Sequence, residues 1–212
     1  VIRTGHAVES GHTGELAVAL AYWAWRWQPL VPPTPVQGPL AFEEWSARLV
    51  ALAPSWRSEG PLIAIRMEEA THSAVYQQLA GALEPAVAMP ARLQVFSRFA
   101  LDRYSASRNF TVLHMVTGLR ALRGLMPWWQ GTPGAQAVLT HAITAAYLAA
   151  RVVPHAVMPE LPVLSWGQVI AAAIASDDEH VIKLVHTCCE EAKNVDADIG
   201  ARYLQAATLA VQ

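Results

Sequence analysis

The sequence predicts an all-α fold, a multi-helix bundle-like domain, and three observations favour it. Apolar residues recur at steps of three and four over most of the chain, the spacing of one helical face. Helix-start and helix-stop residues bound several of these segments. No run of alternating β-branched residues has the pattern of a half-buried strand. The 212 residues are enough for one domain with a substantial core.

The predicted elements follow the chain in order. Residues 15–27 are Ala-rich, carry four aromatic side chains and end before Pro29, so they form a helix. Residues 29–39 are Pro-rich and predict a rigid loop. Residues 61–66 predict a short strand or a loop, and residues 153–164 a Pro-rich connection. Further helices are predicted over residues 42–52, 68–83, 91–105, 110–125, 133–152 (opened by Pro133), 166–175 and 196–211.

The most informative segment is 176–191. Ser176 followed three residues later by Glu179 has the form of a capping box, which predicts a helix beginning at Ser176. His180 and Lys183 then lie one turn apart on one face, close enough to meet at a single ligand or metal. The structural alternative is a hydrogen-bonded, half-buried His180 beside a lysine that reaches water or pairs with a nearby acidic residue.

Composition disfavours several classes of protein. A net charge of −2 with no basic patch argues against nucleic-acid binding. The longest weakly polar run, residues 136–150, is too short and too polar to span a bilayer. Cys188 and Cys189 are adjacent and cannot easily pair, so we expect a cytoplasmic protein rather than a secreted disulfide framework. Apolar residues make up 53 % and charged residues 15 %, which indicates a deep apolar pocket, a subunit contact or a face covered by a missing N-terminal portion. For this chain alone we expect an exposed apolar face, with oligomers or aggregation.

Motifs for common cofactors are absent from the sequence. There is no G-x-G-x-x-G after a strand, no P-loop and no G-x-S-x-G elbow. The chain therefore shows no Rossmann-type flavin or nicotinamide site. Redox chemistry would need a metal, the substrate itself or a cofactor held by another fold.

Three segments, in order, resemble the questin oxidase family. They are residues 1–8 (VIRTGHAV) with 15–25 (ELAVALAYWAW), residues 109–119 (NFTVLHMVTGL), and residues 176–191 (SDDEHVIKLVHTCCEE), which contain the family's Asp-Glu-His-x-x-Lys run. Residues 29–89 match only loosely. The resemblance implies a C-terminal part of a longer all-α protein, after an N-terminal helical portion with its own histidine motif.

The resemblance also implies an activity. Members insert oxygen into anthraquinones and related aromatic polyketides and open a ring, some of them with a non-heme iron held by histidines and an N-carboxylated lysine. Carried over by motif, His6, His114 and His180 would be iron ligands and Lys183 the modified lysine. Arg3, one turn before His6, would bind a phenolate of the substrate.

The implied partners are Fe(II), O₂ and a polycyclic aromatic molecule, with NADPH as a second candidate cofactor. The reaction would be a metal-dependent dioxygenation or a Baeyer-Villiger-type monooxygenation. The alternative function is a non-catalytic helical scaffold or small-molecule binding module in which His180 and Lys183 are structural.

The remaining histidines are assigned elsewhere. We expect surface or core positions for His72, His141 and His155, and a solvated position for His12. His186 lies about 240° around the helix from His180, so it should point away from the site. Near His114, the hydroxyls of Thr111 and Thr117, one turn to either side, are placed to hold a ring nitrogen.

Overall fold

The computed structural model describes residues 1–33, 39–86, 88–152 and 161–212. Those ranges contain eleven α-helices and no strand, which confirms the predicted all-α fold. A single parallel bridge joins Leu40 to Leu83. Among these residues, no helix is long and apolar enough to cross a membrane.

The helices are numbered in chain order. They are α1 (Ile2–Ser10), α2 (Thr13–Trp25), α3 (Phe42–Leu52), α4 (Ile63–Ala70), α5 (Ala74–Leu79), α6 (Met89–Ser107), α7 (Phe110–Trp129), α8 (Ala135–Ala149), α9 (Trp166–Ile174), α10 (Glu179–Ala192) and α11 (Ala197–Val211). Helix α7 is central, because α1, α6, α8 and α10 all pack against it.

A continuous hydrophobic core fills the space between these helices. Trp45 of α3 is fully buried against Phe96 of α6, and its indole Nε1 donates to the carbonyl oxygen of Leu79 at 2.9 Å. The hydrogen bond satisfies the one polar atom of a large side chain that would be costly to bury unpaired. The core anchors α6, on which α7 packs, and so fixes the helix that carries His114.

The close packing of α1 against α7 requires a glycine. A Cβ atom built on Gly5 would lie 2.6 Å from the Cβ of Ala121 and 2.9 Å from its Cα. These distances are too short for any side chain, and one of them is to backbone. Gly5 therefore permits the close approach that brings His6, the next residue, beside α7 and α10.

Helix α10 begins three residues later than the sequence predicts. Its first residue is Glu179 and its N-cap is Asp178, whose carboxylate accepts the backbone N–H of His180 at 2.8 Å. The Ser176 hydroxyl accepts the N–H of Asp178 at 3.1 Å and forms no capping box. The prediction was wrong because Ser176 and Asp178 can each act as N-cap, and it is the Asp178 carboxylate that satisfies an N–H group of the first turn.

Other boundaries also differ. The predicted strand or loop at 61–66 contains the start of α4, and the predicted helix at 68–83 is divided into α4 and α5 by a turn in which Ser73 caps Tyr76. Pro133 precedes α8 instead of opening it, since Gly134 has a φ of 77°. A capping box does occur before α9, between Ser165 and Gln168. Parts of the predicted loops, residues 34–38 and 153–160 with His155, lie outside the described residues.

Helix α2 carries an unusual amount of exposed apolar surface. Of its thirteen residues only Ala19 is buried, while Trp25 is 75 % exposed and Val18, Leu20 and Tyr22 are each 49 % exposed. A helix that is apolar on all sides is normally covered by other protein. The expectation of an exposed apolar face is therefore met by α2.

Candidate functional site

The site begins with two neighbouring imidazoles. The rings of His114 on α7 and His180 on α10 have centroids 5.2 Å apart. The Phe110 ring contacts both, at centroid distances of 4.6 Å from His114 and 4.8 Å from His180. Two residues separated by 66 positions in sequence are thus brought together where α7 and α10 pack.

Hydrogen bonds fix which ring nitrogen of each imidazole is free. Nδ1 of His114 lies 2.8 Å from the carbonyl oxygen of Phe110, and Nδ1 of His180 lies 3.0 Å from Oδ1 of Asp178. Both oxygens can only accept, so both Nδ1 atoms donate their proton. In a neutral imidazole Nε2 then keeps its lone pair, which is the arrangement found in metal-binding histidines.

The threonines flanking His114 do not hold its ring. Thr111 Oγ1 accepts from Arg66 Nη2 at 3.2 Å, and Thr117 Oγ1 donates to the carbonyl oxygen of Leu113 at 3.2 Å. This expectation was wrong because a helical threonine bonds readily to the carbonyl four residues earlier. The Phe110 carbonyl takes the role instead.

Burial keeps His114 neutral. Loss of hydration lowers the pKa of its imidazole below the ordinary value of 6.5, the Phe110 carbonyl opposes that change, and the charges of His180 and Lys183 reinforce it. Burial lowers the pKa of His6 as well, against the opposing effect of Glu9. Neutral imidazole is the form that can donate a lone pair to a metal.

A second pair of imidazoles lies at α1. The rings of His6 and His186 have centroids 6.3 Å apart. Oε2 of Glu9 lies 3.2 Å from Nε2 of His186 and 3.9 Å from Nδ1 of His6, and its other oxygen accepts from Arg120 Nη2 at 2.7 Å. Nε2 of His6 is buried and has no hydrogen-bond partner in the described part of the chain.

His186 is a residue of this region that sequence reasoning missed. Its position about 240° from His180 suggested that it points away from the site. Steps of three residues, however, turn by about 60° each, so His180, Lys183 and His186 form a row that winds slowly around α10. The row meets His114 of α7 at one end and His6 of α1 at the other.

Lys183 stands between the two pairs. Its charge lowers the pKa of both His6 and His114, which places it within electrostatic range of each. Its ammonium group forms a close ion pair with Glu179, one turn earlier on α10. That pair, with its hydrogen bond, is the main cause that lowers the pKa of Glu179.

Among the described residues, Arg3 pairs with Glu15 of α2 and not with an imidazole. Its Nη2 is 3.5 Å from Oε2 of Glu15, and both side chains are about half exposed. Arg3 lines neither of the two cavities described next. The structure therefore gives it a contact with α2 and no visible role at the imidazoles.

Two cavities adjoin the row on α10. A groove of about 590 Å³ runs between α9 and α10; its walls are mainly aliphatic, and His186 stands on its rim. A cleft of about 170 Å³ between α1 and α7 is lined by His6, Glu9 and Arg120. Behind the cleft, the buried Glu191 carboxylate lies 3.1 Å from Nε of Arg123.

The donor atoms in this region are of the types that metal sites use. Two imidazoles whose ring centroids lie 5.2 Å apart have their Nδ1 atoms engaged, which leaves Nε2 as the donor atom of each, and a third imidazole has a buried Nε2 without a partner among the described residues. In the described ranges, however, no three His, Cys, Asp or Glu side chains stand ready to hold one ion. Lys183 supplies no further donor while it is an ammonium, because that group has no lone pair.

Comparison with known proteins adds no relative. The chain matches no family model, no curated protein and no solved structure.

Proposed function

We propose that this chain forms part of a non-heme Fe(II) oxygenase resembling questin oxidase, with His6, His114, His180 and Lys183 at the metal. The observation that carries the proposal is the His114–His180 pair, in which both Nδ1 atoms are engaged and both Nε2 atoms are free. Packing against the Phe110 ring is enough to explain why the two rings are close, so it is the pair of available Nε2 atoms that favours a metal.

The proposed ligands suit ferrous iron. Imidazole and carboxylate oxygen are its usual ligands, and the bound ion would supply an open position for O₂ or substrate. His114 and His180 would bind through Nε2. Each Nδ1 keeps its proton and donates it in a hydrogen bond, to the Phe110 carbonyl for His114 and to the Asp178 carboxylate for His180, so each ring keeps its orientation.

Lys183 would join the site only after modification. A neutral lysine amine adds to CO₂, forming an N–C bond, and loses one proton to solvent to give a carbamate. The reaction converts a positive ammonium, which repels a metal, into a carboxylate-type oxygen ligand. We propose that Lys183 is N-carboxylated in the iron-loaded protein, and that its ion pair with Glu179 belongs to the metal-free state.

The proposed substrate is an anthraquinone-like or other polycyclic aromatic polyketide. The protein would insert oxygen from O₂ and open a ring, by dioxygenation at iron or by a Baeyer-Villiger-type reaction with NADPH as the reductant. Arg3 is retained as a candidate for binding a phenolate, since its guanidinium is half exposed and only loosely held by Glu15.

The proposal extends to surroundings and partners. Exposed Trp25 and its apolar neighbours on α2 fit a covering partner, either the N-terminal portion that the resemblance implies or a second copy of this chain. Two free cysteines, Cys188 and Cys189, fit a reducing cytoplasm.

The second candidate function is a helical scaffold or small-molecule binding module without catalysis. The satisfied local pairs favour it, because Lys183 binds Glu179 and His180 binds Asp178 without any need for a metal. The two candidates differ in what happens when iron is supplied.

Iron content separates the two. After anaerobic Fe(II) loading in bicarbonate buffer and removal of free metal, we expect about one iron per chain, with His114→Ala and His180→Ala each abolishing it. His72→Ala is the matched control, because His72 is exposed and contributes no site contact. An iron-free wild-type chain, or full retention of iron by both site variants, would favour the scaffold.

A further inference from the structure

We propose that the groove between α9 and α10 is a binding site for an apolar small molecule carrying a hydroxyl group, with His186 as the residue that accepts the hydroxyl hydrogen bond. His6, His114, His180 and Lys183 do not line this groove, although the His186 ring lies beside that of His6. The proposal rests on the shape of the groove and on the hydrogen bond between His186 and Glu9.

The groove has the size and lining of a small-molecule site. Its volume of about 590 Å³ lies within the range of 300 to 1,000 Å³ that is typical of ligand pockets. Ile170 and Ile174 form one wall, and Ile182 and Val185 form the other. These walls fit a planar or compact hydrocarbon body.

The apolar surface there is open to a ligand. Ile174 is 77 % exposed, Ile182 is 44 % exposed and Ile170 is 41 % exposed. Three isoleucines meeting at one groove form a contiguous patch, unlike the isolated apolar residues found on most surfaces. Covering this patch with a hydrocarbon body is favourable by roughly 25 cal/mol per Å² of apolar area.

His186 is the polar lining residue that we assign to the ligand, because the two charged lining residues, Glu190 and Lys193, form an ion pair with each other. Its Nε2 lies 3.2 Å from Oε2 of Glu9, a carboxylate that can only accept, so Nε2 carries the proton. In the neutral ring Nδ1 then keeps its lone pair and is a hydrogen-bond acceptor. A ligand that reaches His186 must therefore supply a donor, and a hydroxyl group on an apolar body does so.

Glu9 is a positioning residue in this arrangement. Its two oxygens are divided between Arg120, at 2.7 Å, and His186, so its carboxylate is held in place by a second partner. The same carboxylate faces His6 at 3.9 Å. Glu9 therefore joins the rim of the groove to the proposed metal region without being part of the groove.

A matched pair of probes tests the proposal in metal-free protein. We expect 2-naphthol, which has a hydroxyl donor, to bind about tenfold more tightly than 2-methoxynaphthalene, which has none, as measured by calorimetry or tryptophan fluorescence; one neutral hydrogen bond accounts for such a ratio. In His186→Phe, which keeps a ring but removes the acceptor, the two probes should bind equally. Equal binding to the wild-type chain, or no binding, would overturn the proposal.

An exposed wall residue tests the location. Ile174→Glu should weaken both probes at least tenfold, while Val138→Glu, on α8 with 62 % exposure, should leave both unchanged. If Ile174→Glu instead dissociates a dimer in sedimentation velocity and probe binding is absent, the groove is a contact between copies and the proposal is wrong. Since no iron is involved, failure here is distinct from failure of the proposed oxygenase function.

Discussion

Asp178 gives the sharpest prediction, because its carboxylate performs two tasks that can be separated. It caps α10 by accepting the backbone N–H of His180 at 2.8 Å, and it accepts the ring Nδ1–H of the same residue at 3.0 Å. Asparagine caps helices about as well as aspartate but is a neutral, weaker acceptor for the ring. Alanine removes both contacts.

The two variants should therefore differ in a defined way. Asp178→Ala should lower the free energy of unfolding, because the N-cap is lost, and its Tm should fall by about 2 to 4 °C for a domain of this size. Asp178→Asn should stay close to the wild-type stability. If His180 is an iron ligand, both should bind Fe(II) more weakly, by about tenfold for asparagine and up to about 100-fold for alanine.

Another N-cap provides the control. Asp196 caps α11 by accepting the N–H of Ile199 at 3.0 Å and contacts no imidazole. Asp196→Ala should lose similar stability with unchanged iron affinity. Urea unfolding and anaerobic Fe(II) titration against a competing chelator measure both quantities. Unchanged iron affinity in Asp178→Ala, or an equal loss in Asp196→Ala, would refute the role of Asp178.

Three further predictions follow from the packing and the charges. Gly5→Ala should destabilise the chain by about 1 to 3 kcal/mol in urea unfolding, because the added Cβ would overlap Ala121. Gly118→Ala is the control and should be neutral or stabilising, because the nearest atom to its added Cβ is 3.9 Å away. Equal effects of the two substitutions would contradict the close packing at Gly5. Burial lowers the pKa of His114 in the folded chain below 6.5, so the unfolded chain binds a proton at this residue before the folded chain does as the pH falls. The free energy of unfolding should therefore be highest above pH 6.5 and should decrease at lower pH. Urea unfolding at a series of pH values should show a smaller decrease in His114→Gln. Sedimentation velocity should show self-association of the wild-type chain, and Trp25→Glu should weaken it because Trp25 is 75 % exposed. A wild-type chain that stays monomeric at high concentration would contradict the prediction of self-association.

The helical periodicity was sufficient to predict the fold class and α3, whose observed bounds are those expected from the sequence. Predicted helix boundaries were wrong where two helix-start residues lie within a few positions of each other. Ser176 and Asp178 are an example, because both are good N-cap residues. The prediction that Pro133 opens α8 was wrong for a related reason, because Gly134, in the left-handed region, is the N-cap and the helix begins after it.

The site was predictable only in part. Motif spacing pointed to His114 and His180, and their rings lie 5.2 Å apart. His186 was missed because its role depends on α1 packing across the far end of α10, a contact between residues 177 positions apart that no local pattern contains. The ring partners, Asp178 and the Phe110 carbonyl, were missed because one depends on the true helix start and the other is a backbone atom.

The most direct test of the metal site is an anomalous difference map at the iron edge, from crystals grown with Fe(II) and bicarbonate without oxygen. We expect one peak close to the ~2.0 to 2.1 Å metal–nitrogen distance from Nε2 of both His114 and His180, with added density on Nζ of Lys183 for the carbamate. An iron peak elsewhere, or no peak while Lys183 still pairs with Glu179, would contradict the proposed iron site.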